Sequence, residues 1–280
     1  MGNAIRVSHA SFGRLTILEM VADLVVHAHA QAHILAPIGG DSASFLIDGV
    51  TYPVDRNSLL CINSWEPHAY RTTRPEGKTT FLVLYIECAY LARLTDCSPR
   101  DKFFAQPVLE RQGAIGALID SIAEHLSSPT LQGSGYMEDL VADLFANIPQ
   151  ERNAPQPGRY PRDYRIRRSI QHMLENIDRR ISFDDLAMQS GLSRPHFFDL
   201  FKQQTGITPN QYWDAVRMDR AVRQLGESEL PIHDIASNIG FTEQTNFTRF
   251  FRYHQGVTPN HYRRALRAEG QALSRSFARG

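Results

Sequence analysis

The sequence predicts a two-domain α+β chain. The amino-terminal part reads as a β-barrel or sandwich followed by a helical hairpin, and the carboxy-terminal part as an all-α domain of two helix-turn-helix units joined by a long helix. Three observations carry this. The apolar period changes from strand-like to helix-like after Pro107, a proline-rich stretch interrupts the chain near residue 155, and the last hundred residues state one pattern twice.

The chain has 280 residues, 42% hydrophobic and 21% charged, which is an ordinary globular composition with room for two cores. Its formal net charge of zero hides an asymmetry. Residues 1–158 hold 11 Lys and Arg against 17 Asp and Glu, whereas residues 159–280 hold 19 against 13. A basic, arginine-rich half suits a polyanionic partner, and the planar guanidinium reads guanine edges better than an ammonium does. Cys61, Cys88 and Cys97 are scattered and form no C-x-x-C pair, which argues against a disulfide framework or a zinc finger and for a reducing cytoplasm. The first residues lack the apolar core of a signal peptide, and the strongest apolar run, Phe81 to Ile86, is too short to span a bilayer. A soluble, cytoplasmic chain with no membrane partner is expected.

From Phe12 to Ile86, short apolar or alternating runs are broken by turn signals. Phe45 to Tyr52 reads as a hairpin, because Asp48-Gly49 supplies the positive-φ pair that a two-residue turn requires. Several such strands at close spacing predict a barrel or sandwich over 1–106. Over 107–148, Ile115, Leu118, Ile119, Ile122 and Leu126 fall at helical spacing, as do Leu140, Val141, Leu144 and Phe145. These stripes have limited local core to cover them, so the hairpin is expected to pack on the barrel and to pair two copies into a homodimer. Residues 149–163 hold four prolines (Pro149, Pro155, Pro157 and Pro161) and almost nothing apolar, which marks a linker.

Over 164–270, the segment from Ile181 to Tyr212 recurs from Leu230 to Tyr262. The offset is 49 residues as far as Ser193/Thr242 and 50 from Phe201/Phe251, so the second copy gains one residue. In the first copy Ser182 caps a helix that Gly191 ends, and Ser193 caps the next, which Gly206 stops. Phe197, Leu200 and Phe201 must face the core, leaving Arg194, Pro195, Phe198, Asp199 and Lys202 outward. In the second copy Thr242 is the expected cap, Phe247, Phe250 and Phe251 the core triplet, and Gln244, Thr245, Thr248, Arg249 and Arg252 the outer face. Pro231 replaces the first copy's Ser cap. Gln pairs bidentately with adenine, Arg with guanine, and Thr meets thymine methyls or phosphate, so this face suits the major groove of promoter DNA. Between the copies, Pro209 to Leu225 reads as one helix capped by Thr208; seventeen residues span roughly 26 Å, so both outer helices could enter successive grooves.

The repeat resembles the AraC family of bacterial transcription regulators. The resemblance rests on Ala187, Gly191-Leu192-Ser193 and Phe201-Lys202, and above all on Asp234-Ile235-Ala236, Gly240-Phe241, Phe247, Arg249, Phe251-Arg252, Gly256, Thr258-Pro259 and Tyr262-Arg263. It covers about residues 165–267. It implies base reading by Pro195, Phe198 and Asp199 in the first unit and by Gln244, Thr245, Thr248 and Arg249 in the second. It also implies activation of transcription with RNA polymerase as a partner. Asp199 and Phe198 depart from the pattern: a carboxylate repels phosphate although it can accept from cytosine N4, and Phe198 is apolar where exposure is expected. The second unit should therefore carry more of the affinity.

His27, His29 and His33 stand at i, i+2 and i+6, which on a strand puts all three on one face with Ala28, Ala30 and Ala32 on the other. Downstream runs Asn57 to His68, ending in Glu66-Pro67-His68. Together these segments are similar to the two cupin motifs, with His33 where a Glu is usual and Asn57 and Trp65 where glycines are usual. The resemblance implies a cupin-like effector barrel with metal positions at His27, His29, His33 and His68. Converging neutral imidazoles suit Zn, Ni, Fe or Cu. The other reading is a small-molecule pocket without metal, lined by His27, His29, His33, Trp65 and His68.

The whole chain thus reads as a sequence-specific DNA-binding transcription regulator, an activator controlled by a small-molecule effector or metal in the amino-terminal barrel. The rival is a metal-dependent cupin enzyme fused to a DNA-binding domain. It leaves the repeat unexplained, and no other pattern in the chain offers chemistry.

Overall fold

The computed structural model describes residues 3–95, 102–127, 135–149 and 161–266, with side chains from Arg6 onward. Most of the expected linker, Cys97 and residues 267–270 of the expected helical domain lie outside the described residues.

Among the described residues, nine strands form two antiparallel sheets. The first six-stranded sheet has the order β1 (Asn3–Ala10), β2 (Gly13–Met20), β8 (Thr79–Ile86), β3 (Ala32–Gly40), β6 (Ser58–Ile62) and β9 (Val108–Glu110). The second has the order β5 (Val50–Val54), β4 (Ala43–Ile47) and β7 (His68–Thr72). The expected hairpin is present, with Ile47 paired to Val50 across Asp48 (φ 48°) and Gly49 (φ 86°).

Side-chain alternation sorts the six-stranded sheet into two faces. Ala32, Ile34, Ala36, Leu82, Leu84 and Ile86 point to one, where α1 (Cys88–Thr95), α2 (Gly113–Ser127) and α3 (Tyr136–Asn147) cover them. Leu35, Phe81 and Val83 point to the other and meet Phe45, Ile47 and Tyr70 of the second sheet. The run Phe81 to Ile86 reads as continuously apolar because β8 is central and covered on both faces.

The hairpin stripes pack on the six-stranded sheet, as the sequence reading expects. Ile119, Ile122, Leu126, Leu140, Val141, Leu144 and Phe145 are all buried against the sheet of their own chain. An unsatisfied apolar stripe therefore gives no reason for two copies to pair, and that ground for the dimer is withdrawn.

The helical domain runs α4 (Tyr164–Glu175), α5 (Phe183–Gln189), α6 (Arg194–Thr205), α7 (Pro209–Glu227), α8 (Ile232–Asn238) and α9 (Gln244–Gln255). Ser182 caps α5 through Asp185 N, and Gly191 takes φ 66° just beyond its end. Thr208 and Gln211 form a reciprocal capping box on α7, whose 19 residues make a rod of about 28 Å. Gly206 and Gly256 end α6 and α9 in the left-handed region. Pro231 gives α8 no side-chain cap, as expected.

Two expectations need correction. The cap of α9 is Glu243 rather than Thr242, because the residue added in the second copy falls in the turn: Gly191 stands two residues before its cap and Gly240 three. Cap to core spacing is then equal, Ser193 to Phe197 and Glu243 to Phe247. Second, His27 to His33 is not one strand. β3 begins at Ala32, and residues 21–31 are irregular except for a single antiparallel bridge between His27 and His68.

The two domains share cores. Val7 of β1 is buried with Met218, Val222 and Leu225 of α7, and Ala28 is buried with Ile166 of α4, Phe197 of α6 and Val216 of α7. Trp65 stacks on Tyr212 with ring centroids 4.4 Å apart and planes at 13°.

Leu144→Ala is expected to cost about 2–5 kcal/mol in urea unfolding. The loss should not depend on protein concentration, since the partners of Leu144 belong to its own chain. A concentration-dependent loss would restore the helices as a subunit interface.

Candidate functional site

Between the two-sheet domain and the helical domain lies a cavity of about 900 Å³. Its floor is formed by β2, β3, β7 and β8 and by residues 24–31, and α7 and the end of α9 close it. A cavity at a domain interface, largely apolar with a few convergent polar groups, is a common form of small-molecule site.

The four histidines meet here, although the predicted strand does not carry them. His33 lies on β3 and His68 on β7, both buried, while His27 and His29 are half-buried on the irregular segment. That segment is pinned to the two-sheet domain. His27 and His68 exchange backbone hydrogen bonds of 3.0 and 2.9 Å, Trp65 N donates to His29 O, and Ser64 Oγ donates to Ala30 O. Ring centroids are 4.3 Å apart for His29 and His33, 4.4 Å for His27 and His68, and 4.6 Å for His33 and His68. One nitrogen from each of His27, His29 and His68 lies within 4.8 Å of the others, the reach of a single ion. The Nδ1 of His29 is buried without a hydrogen-bond partner. Three close imidazoles and an orphaned ring nitrogen fit a metal that takes nitrogen ligands.

Burial keeps these rings neutral. It pushes His29 and His68 well below the usual histidine value and His33 down to about 3, and neighbouring imidazoles add to the effect.

Trp65, expected on the ligand wall, belongs to the domain interface instead. Its positive φ of 58° turns the chain so that the indole lies on Tyr212. The polar contacts across the cavity rim come from residues that sequence reasoning missed. Arg14 is buried, lies 3.8 Å from the Tyr85 ring centroid and donates to Tyr262 Oη at 2.8 Å. Gln31 donates to Asp219 at 2.6 Å and to Glu87 at 3.1 Å, and Arg223 of α7 pairs with both carboxylates. Arg14 and Tyr262, Gln31 and Asp219, and Arg223 and Glu87 are each more than a hundred residues apart, so no local spacing could have signalled them, whereas Arg223 and Asp219 stand at i, i+4 on one helix.

The outer faces of the duplicated units differ as the sequence implied. On α9, Gln244, Thr245, Arg249 and Arg252 are exposed and Thr248 is half-exposed, and among the described residues no ion pair holds either arginine. On α6, Pro195, Asp199 and Lys202 are exposed, but Arg194 is held by both carboxylate oxygens of Asp184 at 3.1 and 2.9 Å. Phe198 is turned inward, edge-on to Phe183 and Phe197, with the Arg194 guanidinium over its ring. Its predicted outward position is corrected: an apolar ring gains more against this core than in water.

Comparison with known proteins agrees with this geometry. A family model described as a helix-turn-helix domain matches residues 186–265. The probable transcriptional regulator LumQ of Photobacterium leiognathi is 35% identical over 78 residues, 28% of this chain and 32% of the relative, so that match spans about a third of LumQ. The HTH-type transcriptional activator RhaS of Klebsiella pneumoniae is 29% identical over 235 residues, 80% of this chain and 82% of the relative. In fold, the crystal structure of ToxT from Vibrio cholerae O395 is similar over 95% of this chain and 97% of that one, with a TM-score of 0.54 at 14% identity.

The neutral histidines set an acid limit. His33 and His68 have folded values below the unfolded 6.5, so below that pH the unfolded chain binds protons that the folded chain refuses. Stability is fully present above about pH 6.5 and falls from there toward about pH 3. Urea midpoints measured in chelator should drop between pH 7.5 and 5.5, and His68→Gln should flatten the slope. A flat profile for the unsubstituted chain would contradict neutral burial.

Proposed function

Since the chain belongs to the AraC family of transcription regulators, we propose that it activates transcription by sequence-specific binding to promoter DNA, under control of a small-molecule effector held in the interdomain cavity. The observation that carries this is the cavity's position: barrel strands form one wall and α7, the rod joining the two DNA-reading units, forms another.

The base-reading set is Gln244, Thr245, Thr248 and Arg249 of α9, with Pro195 and Asp199 of α6, while Lys202 and Arg252 serve the phosphates. Arg194 joins the phosphate contacts once released from Asp184. An exposed ion pair is worth about 0–1 kcal/mol, so releasing it costs little. The second unit dominates affinity because its face carries free arginines and no carboxylate. An effector that contacts both walls favours one docking of α7 over another, and only such differential affinity can shift the equilibrium. RNA polymerase and a second copy of the chain complete the reading as partners.

Residence in the cytoplasm follows from the promoter target, and no described helix is long and apolar enough to cross a membrane. The enzyme reading leaves α6 and α9 without a role.

Footprinting on a bound promoter tests the ranking of the two units. Arg249→Ala should lose about 1–3 kcal/mol of specific binding, enough to erase protection at its half-site. Asp199→Ala should only broaden sequence preference. Equal losses from the two substitutions would overturn the ranking, and binding that ignores salt would overturn the DNA reading itself.

A further inference from the structure

The turn that leads into α9 is held from two sides. Gly240 takes φ 77° there, and a methyl group added to it would meet Arg179 O at 2.9 Å, so the backbone of residue 179 lies directly against the turn. Arg179 belongs to the loop between α4 and α5, which leads into the first helix of the other reading unit. That loop is itself a fixed turn: Arg179 N donates to Asn176 O at 3.0 Å, and Asn176 Nδ2 donates to His172 O at 2.8 Å. From the other side α7 holds the α9 turn. Arg217 Nε donates to Ile239 O at 2.7 Å, and its guanidinium lies 3.8 Å from the centroid of the Phe241 ring. The α4–α5 loop, the rod and the α9 turn therefore meet at one seam between the two units.

The loop brings positive charge to that seam. Arg179 and Arg180 are both exposed. Arg179 stands 3.8 Å from the carboxylate of Asp178, in a pair whose side chains are 74% and 57% exposed, and among the described residues no ion pair holds Arg180. An exposed pair of that kind is weak. Asp184, further along the chain, already accepts from Arg194 through both oxygens.

Placement supplies the partner. Four residues of chain lead from Gly240 to Gln244, the first base-reading position of α9, a reach of at most about 14 Å. A helix seated in a major groove about 12 Å wide has phosphates close on both flanks. Two arginines fixed against Gly240 thus stand beside the phosphate wall of the groove that α9 enters. We propose that Arg179 and Arg180 form a phosphate clamp at this seam, gripping the DNA backbone between the groove segments that α6 and α9 read. The clamp rests on the DNA-binding reading above and adds to it a contact outside both reading helices. It gives the first unit, whose own face holds Asp199, a share in affinity without a share in sequence choice.

The test uses the full chain and two duplexes of about three helical turns, one of random sequence and one selected by the unsubstituted chain from a random pool. Arg179→Ala and Arg180→Ala should each lower the slope of log affinity against log salt by about 1 on both duplexes. Each should weaken both duplexes by about fivefold in near-physiological salt, so that the preference for the selected duplex stays the same. Arg180→Lys should keep the slope, since an ammonium also binds phosphate as a point charge. In the double alanine variant, ethylation interference on the selected duplex should lose phosphates lying between the two protected groove segments. An unchanged urea midpoint verifies that each variant is folded. Should the variants misfold, the interference pattern of the unsubstituted chain decides, because the clamp requires contacted phosphates between the two segments. An unchanged salt slope, a lost preference for the selected duplex, or no contacted phosphate between the segments overturns the clamp and leaves the DNA reading in place. A chain that binds neither duplex overturns both.

Discussion

Residues 21–31 leave the sheet after β2 without a strand to pair with, and every buried N–H and C=O among them must still find a partner. The two-sheet domain supplies several: Tyr70 O for Leu24 N, the paired groups of His68 for His27, Trp65 N for His29 O and Ser64 Oγ for Ala30 O. The helical domain adds a hydrogen bond from Gln211 to Val26 O and a core that takes in Ala28. One irregular strip is thereby bonded to both domains at once. The convergence of the four imidazoles, the closure of the cavity and the stacking of Trp65 on Tyr212 depend on this shared bonding.

The same constraint gives control over DNA reading a physical route. α7 is at once the cavity wall, the partner of the irregular strip and the rod that spaces α6 from α9. A ligand in the cavity touches the elements whose relative placement sets both reading faces, without any long chain of intermediates. The salt-bridged rim of Glu87, Asp219 and Arg223 is partly exposed, so it contributes modestly to the docking energy and more to its register. The apolar contacts of Val7 and Ala28 provide the main attraction.

What the sequence disclosed was periodic. The helix-turn-helix repeat, its caps at Ser182 and Thr208, the glycines at 191, 206 and 256 and the Asp48-Gly49 hairpin all follow from local chemistry, and each stands where spacing placed it. The four histidines converge for a reason the spacing did not contain. Alternation implied a strand, whereas a bridge at His27 and a loop bring them together. Helical phase alone puts Phe198 outward, because that phase carries no information on Phe183 of the preceding helix, which receives it. Arg14 with Tyr262 and Gln31 with Asp219 join residues separated by 248 and 188 positions, and only tertiary docking pairs them.

Native-state hydrogen exchange on the full chain bears most directly on the shared strip. If the strip and the helical domain dock as one unit, the amides of His27 and His68 should open with the same free energy as the interior amides of α7, and with the same denaturant dependence. Exchange at His27 and His68 that is fast and denaturant-independent while α7 stays protected would show a strip that opens alone, and would contradict the account.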